Sequence, residues 1–364
     1  MINRLFRCSV LSLGILLAAC DNTAQSDRQA PSAAETSIKT FSIGITGDLV
    51  NLPWLVAERQ GLFDPIARRH GVRLEFVEFS DESSALATYN RGQIDALTTN
   101  LNALMNSAEA SQHETRIPLI FGFSRGDYGI FSRNAQSVDS LKGEEIHLPL
   151  GSSGHYLLFR MLELNQLSMG TLRLVDTPQR ALTTGFINGT IDTLVASGST
   201  FGRISQLDEA YLIADSRSLF GEIMAGLMID AATLEANPAL ASALVEGWFV
   251  AMDAIFPEGG PLDSDYAEQF ARLSNLPANR VSQYLAAHNF LRTPAYALQY
   301  MQGDNLALAI QGTRRFSMAT NTYRCGPSSN DSCLVERDGN VISNGQGTRI
   351  RLETRFLRDL IGVQ

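Results

Sequence analysis

ALATYNRGQIDALTTNLNAL, running from Ala85 to Leu104, is the stretch that decides the fold. Asp81 to Asn90 reads as a helix, and Arg91-Gly92 ends it. Ala96 to Thr99 is a short apolar strand. Asn100 follows at the strand's carboxyl end and opens another helix through Met105. Working outward, the same alternation continues. Phe41–Ile45 and Val72–Phe79 read as strands, Asn51 caps a helix with Pro53 in its first turn, and Gly61 stops that helix. Ile117–Phe123 is a fourth strand. This is the rhythm of a mostly parallel sheet covered by helices.

The rhythm restarts near Tyr128. Glu145–Leu148, Leu172–Val175, Leu194–Ala196 and Tyr211–Ile213 read as strands. Gly151-Ser152-Ser153-Gly154 opens an apolar helix through Leu164. The apolar run Glu222–Ile229 is read as the return to the first half. Ala231 to about Met318 is mainly helical. The remainder looks like turns and a hairpin, closed by a helix over Thr354–Leu360. No short-period sequence repeat is present, so the two α/β halves repeat an architecture rather than a sequence.

The chain has 364 residues, 45% hydrophobic and 18% charged, with a net charge of −9. That length predicts two lobes, and that charge argues against nucleic acid as a partner. Arg4 and Arg7 precede an apolar core, Val10 to Leu17, and Ala18-Ala19 lead to Cys20. This reads as a secretory signal over residues 1–19, and Leu17–Cys20 resembles a bacterial lipobox with Cys20 as the lipidated residue. Residues 20–38 form a polar tether without aromatic residues. The expected location is the periplasmic side of a bacterial membrane, held only by the lipid, with Asp21 favouring the inner membrane. No second apolar run reaches a membrane span. Cys325 and Cys333 enclose a short loop and are expected to form a disulfide in that compartment.

Three segments carry a family resemblance: LPWLVAERQGLFDP at 52–65, ALATYNRGQIDALTTNLNAL at 85–104 and SLKGEEIHLPLGSSGHYLLFRMLE at 140–163, with a weaker echo in FINGTIDTLVA at 186–196. Together they resemble the substrate-binding proteins of nitrate/sulfonate/taurine-type ABC transporters, a family that includes thiamine-pyrimidine and urea-related binders. The resemblance implies an α/β, type II periplasmic-binding-protein fold with two lobes and two hinge crossings, near Ser124–Tyr128 and Leu219–Ile223. Residues 39–125 and 223–364 would form lobe 1, with a disulfide-containing extension from about 319, and residues 126–222 lobe 2. The implied function is capture of a small polar solute for an ABC permease and its ATPase by a monomeric lipoprotein with no cofactor. Where urea-related members carry a Trp-Asn-Pro-like segment, this chain reads Ala196-Ser197-Gly198-Ser199-Thr200.

Open α/β sheets bind ligands beyond the carboxyl ends of their strands. Candidate ligand contacts are therefore Asp48, Asn51 and Trp54 after the first strand, and Asn100 and Asn102 after the third. Asp127 joins them at the first crossing. Gly151, Ser152, Ser153, Gly154 and His155 form a helix N-terminus with free N–H groups. Ser197 and Ser199 follow a second-lobe strand, and Glu222 at the return crossing is a candidate acceptor for an amino or guanidino group. The glycine at 151 is expected to let the backbone approach the ligand closely. No metal site and no catalytic residue is expected: HExxH, the GxSxG elbow and the Walker loop are absent. Two alternatives stay open, an enzyme of the thiamine-pyrimidine-synthesis-like branch and a sensory or scaffold lipoprotein of the same fold.

Overall fold

The structure, a computed structural model, describes residues 38–46, 49–107, 113–274, 277–320, 334–343 and 350–363. The expected signal, tether, lipidation and disulfide positions, Cys20, Cys325 and Cys333 included, lie outside these residues, as does Asp48.

The chain begins β1 (Lys39–Thr46), α1 (Leu52–Arg59), α2 (Asp64–Arg69), β2 (Val72–Phe79), α3 (Glu82–Asn90), β3 (Ala96–Asn100), α4 (Leu101–Ser107) and β4 (Thr115–Ser124). It continues through β5 (Tyr128–Ser132), β6 (Glu145–Leu148), α5 (Ser153–Leu164), β7 (Arg173–Asp176), α6 (Gln179–Ile187), β8 (Thr193–Ser197), α7 (Gly198–Ile204) and β9 (Tyr211–Asp215). Then come β10 (Met224–Asp230), α8 (Ala231–Ala236), α9 (Pro238–Ile255), α10 (Ser264–Ser274), α11 (Ala278–Ala286), β11 (His288–Phe290), α12 (Pro294–Gln302) and α13 (Asp304–Thr320). The last elements are β12 (Val335–Arg337), β13 (Asn340–Ser343), β14 (Ile350–Leu352) and α14 (Arg355–Ile361).

Two sheets result. The larger has the order β13-β12-β14-β4-β10-β3-β1-β2, with β11 also on β4; the smaller has the order β7-β6-β8-β5-β9. In the first, β1, β2 and β3 run parallel and β10 lies antiparallel between β3 and β4. In the second, β6, β7 and β8 run parallel and β5 lies antiparallel between β8 and β9. Each sheet thus shows three parallel strands, a visitor strand and a fourth strand beyond it, to which the first sheet adds the C-terminal β14, β12 and β13. Each visitor, β5 or β10, is the strand by which the chain arrives from the other sheet. The chain leaves the first sheet after Ser124 and returns at Met224.

Local chemistry sets the helix starts. The Asp81 carboxylate accepts from Ser84 N–H at 2.8 Å at the head of α3, and Thr293 caps α12 ahead of Pro294, each satisfying a helix-end N–H. Behind the first sheet, Trp54 stacks on Phe63 and Trp248 with ring centroids 5.5 and 5.0 Å away, and Phe121 meets its edge. Helix α9 is long and apolar enough by composition to cross a membrane, which the sequence reading had not counted. Its Leu240, Leu244, Trp248 and Met252 are buried in this core, which explains its apolar character. The C-terminal segment extends the first sheet through β14, which runs parallel to β4 from Thr115 to Ile117.

Candidate binding site between the two sheets

The carboxyl ends of β3 and β8 feed directly into α4 and α7, and a short turn joins β6 to α5, which places polar residues at the strand ends. Helix α5 shows how. Ser152 is its N-cap: its hydroxyl oxygen accepts from His155 N–H at 3.2 Å, and its O–H donates to the Pro149 carbonyl at 2.7 Å. Both hydrogen-bonding directions are therefore used by the cap. Gly151 holds φ at +77°, and a Cβ there would meet nothing within 4 Å. The backbone conformation by itself requires the glycine, and no protein atom crowds the position. Its N–H donates to His155 Nδ1 at 3.1 Å, so the neutral ring carries its hydrogen on Nε2.

His155 is 2% exposed, with its ring edge-on to Phe316 at 4.9 Å. Neither its Nε2 nor the Ser153 hydroxyl, also buried, has a hydrogen-bond partner among the described residues. Burial pushes the imidazole down from 6.5 to about 4. Because the folded state binds the proton less well than the unfolded chain, stability is complete above about pH 6.5 and falls as pH drops toward about 4, by roughly 3 kcal/mol in total. His155→Phe should flatten that acid limb in urea titrations between those two pH values. An unchanged slope in the variant would remove His155 as its source.

Opposite stand residues of the first sheet. Asn100 Nδ2 lies 3.3 Å from both Glu82 Oε1 and the Tyr128 hydroxyl, joining β3 to β5 across the two sheets. Asn102 is fully buried; its Nδ2 donates to Thr313 Oγ1 at 2.6 Å, and its Oδ1 has no partner. Asn51 repeats the arrangement, with Nδ2 on Thr46 Oγ1 at 2.8 Å and Oδ1 unpaired. Trp54, taken as a possible apolar wall, is corrected: it has no exposed surface and belongs to the aromatic core.

Glu222 is also corrected. Tyr156 Oη donates to its Oε2 at 2.6 Å, and Arg160 reaches it through Nε at 2.7 Å and Nη2 at 3.0 Å. Its carboxylate is occupied, so it is not an open acceptor. Asp127 is buried, with His288 Nε2 3.4 Å from its Oδ2. Gly154 packs on the second sheet, where a Cβ would lie 3.2 Å from Val195 Cγ1 and 3.8 Å from the Tyr128 ring. Ser197 precedes α7 with its carbonyl accepting from Gln179 Nε2 at 2.9 Å, and Ser199 is exposed.

The two sheets' helices meet along a seam. A Cβ on Gly198 would sit 3.8 Å from Leu49 Cδ1, and one on Gly202 would fall 1.2 Å from Tyr284 Oη. At the crossings, Ser124 and Ser216 hydroxyls lie 2.7 Å apart, and Ser216 Oγ accepts from Gly126 N–H at 2.8 Å. The sequence reading missed Glu82, Tyr128, Tyr284 and Thr313. Tyr128, directly beside Asp127 at the expected first crossing, was the one with a readable signal. A polar groove of about 300 Å³ lined by Glu145, His147, Arg173 and Asp192 lies at the amino ends of β6, β7 and β8, the end away from these residues. Among the described residues no cluster of His, Cys, Asp or Glu is placed to hold a metal ion. Nor does a serine–histidine pair form: Ser152 caps the helix and His155 accepts through Nδ1.

Comparison with known proteins agrees with this architecture. The alkanesulfonate-binding protein SsuA of Xanthomonas axonopodis pv. citri, solved with MOPS bound, superposes with a TM-score of 0.63 at 18% identity, covering 78% of this chain and 94% of its own. A Candida albicans protein described as having the generic periplasmic binding protein fold gives 0.58 at 11% identity, covering 77% and 95%. The desulfurization enzyme DSZB gives 0.54 at 15% identity, covering 78% and 93%. No curated protein matches the chain. The family model described as NMT1/THI5 like matches residues 50–248, more than half of the sequence. With the periplasmic-binding-protein fold in place, that match makes the chain a member of the NMT1/THI5-like family.

Proposed function

We propose that this protein is an extracytoplasmic solute-binding component of an ABC importer, taking a small polar solute between its two lobes. The observation that carries the reading is a set of buried polar atoms on segments that follow strand ends, without partners among the described residues: Asn51 Oδ1, Asn102 Oδ1, Ser153 Oγ and His155 Nε2. Leaving such atoms without partners costs about 1–3 kcal/mol each, so a molecule that pairs with them stabilises the closed arrangement. Binding and not turnover is the reading, because no nucleophile there is paired with a base. That DSZB shares the fold keeps an enzyme as the competing outcome.

The test is recovery of partners. Tagged chain extracted from its native membrane should bring with it an ABC permease and ATPase, whose ATP hydrolysis rises when the chain and a cell extract of small solutes are added. Recovery of no transporter, together with consumption of a solute by the chain alone, would replace the reading with the enzymatic one.

The anchor is part of the same proposal. Leu17–Cys20 supports a lipid on Cys20, and the spacing of Cys325 and Cys333 supports a disulfide. The intact mass of protein taken from membranes without reductant should correspond to a chain starting at Cys20 with added acyl groups and two fewer hydrogens. Cys20→Ala should shift the protein to the soluble fraction. An unacylated N-terminus in membrane-bound wild type, or two free thiols, would reject the respective part.

A further inference from the structure

We infer that the solute is an uncharged molecule bearing both an oxygen acceptor and an N–H donor, an amide or ureide, and that anions without a donor, alkanesulfonates and nitrate among them, are excluded. This rests on the proposed binding role and specifies its ligand.

The hydrogen-bonding sense of two of the unpaired atoms, on Asn102 and His155, is fixed by their partners. Thr313 Oγ1 donates to the Ala309 carbonyl at 3.0 Å, so it must accept from Asn102 Nδ2. The free atom of Asn102 is therefore its oxygen, an acceptor. His155 Nδ1 accepts from Gly151, so its free atom, Nε2–H, is a donor. The Ser153 hydroxyl adds a group that can donate to a ligand oxygen, and Asn51 Oδ1 a second acceptor. Among these four atoms the acceptors come from the first sheet and the donors from the second; Trp54 Nε1, a buried donor also without a partner among the described residues, lies in the aromatic core behind the first sheet.

They share one junction. Thr313 and Phe316, one turn apart on α13, contact Asn102 and His155 respectively. The required ligand presents an N–H toward Asn102 and an oxygen toward Ser153 and His155. Nitrate and alkanesulfonates carry oxygens at every polar position and would set lone pairs against Asn102 Oδ1 and Asn51 Oδ1.

Charge points the same way. Arg116 is the one basic side chain, histidine aside, that is buried among the described residues. It sits near the amino end of β4, engaged by Glu235 and Glu353 at 2.6 and 2.9 Å. Arg160, the cation beside α13 at this junction, is 13% exposed and already engaged by Glu222 and Glu163, so it is not free to pair an anion. Glu82, beside Asn100, and Asp127, at the crossing, are carboxylates. An enclosed anion would lack a free countercharge and meet these two groups, a costly burial.

Matched pairs test this: acetamide against acetate, urea against nitrate, and ethanesulfonamide against ethanesulfonate, each added at millimolar concentration to 15N-labelled protein. The neutral member of each pair should shift the His155 imidazole and Asn102 amide resonances, and Asn102→Leu and Ser153→Ala should each weaken it about tenfold. The anions should leave those resonances in place. Ethanesulfonate or nitrate binding as tightly as its neutral partner would overturn the inference and leave the binding role standing. Equal neutral-probe affinity in wild type and Asn102→Leu, with both variants folded, would also overturn it.

Discussion

Gly202→Leu is expected to hold the two lobes apart. Gly202 lies on α7, and a Cβ added there would fall 1.2 Å from Tyr284 Oη and 2.3 Å from its Cζ. No small shift relieves an overlap of that size, so Tyr284 must leave its seat or the helices must separate. Overpacking costs about 1–3 kcal/mol where neighbours can shift. Here the atoms that must give way are the far end of the Tyr284 side chain, and whether Tyr284 swings out or the helices part, the cost falls on the α7–α11 contact and not on either core. The radius of gyration in solution should rise, and affinity for any cleft ligand should fall by about tenfold or more, near 1.4 kcal/mol. Gly202→Leu combined with Tyr284→Ala should recover much of both. A single variant with unaltered radius and affinity would show that the α7–α11 contact does not gate closure.

Arg116→Leu is expected to be the most destabilising change outside the aromatic core. The guanidinium is 3% exposed and meets Glu114, Glu235 and Glu353. These carboxylates come from the approach to β4, from α8 and from the segment after β14, so one side chain ties the C-terminal extension to the main sheet. Removing one partner of a buried ion cluster costs about 3–5 kcal/mol. Glu235 is two-thirds exposed and weakly held, so about 3 kcal/mol is expected. The urea midpoint should fall accordingly, and amide exchange should rise first in β14. A midpoint within experimental error of wild type would show that the extension is held by packing alone.

Much of the fold was legible because local chemistry and global arrangement agree. Pro53, Asp81 and Ser152 mark helix starts, and Gly61 and Gly92 follow helix ends with φ of +65° and +67°. The Asp338-Gly339 turn, with φ of +46° and +85°, marks the hairpin β12–β13. What could not be read are facts of pairing at long range. The apolar run returning at Met224 gives a strand but not its insertion, antiparallel, between β3 and β4. Three residues over His288–Phe290 are too few for a periodic signal, yet they pair with β4. The same limit governed the site. Asn102 and His155 could be placed at strand ends from sequence, but Thr313 and Phe316, which orient and enclose them, lie on a helix far along the chain. Glu222 looked free because Arg160 meets it only across the return crossing. Trp54 looked available because Trp248, its stacking partner, is remote in sequence.

The visitor strands also set an order of assembly. As the chain emerges from its amino end, β3 and β4 are made early but do not pair with each other; both wait for β10. Their unpaired edges remain exposed while residues 125–223 are synthesised, a state prone to misassociation. The second sheet has no such wait, since every strand it needs lies between Tyr128 and Asp215. The half that starts second is therefore the first able to finish, and a nascent chain arrested shortly after Asp215 would carry one closed sheet and one open one.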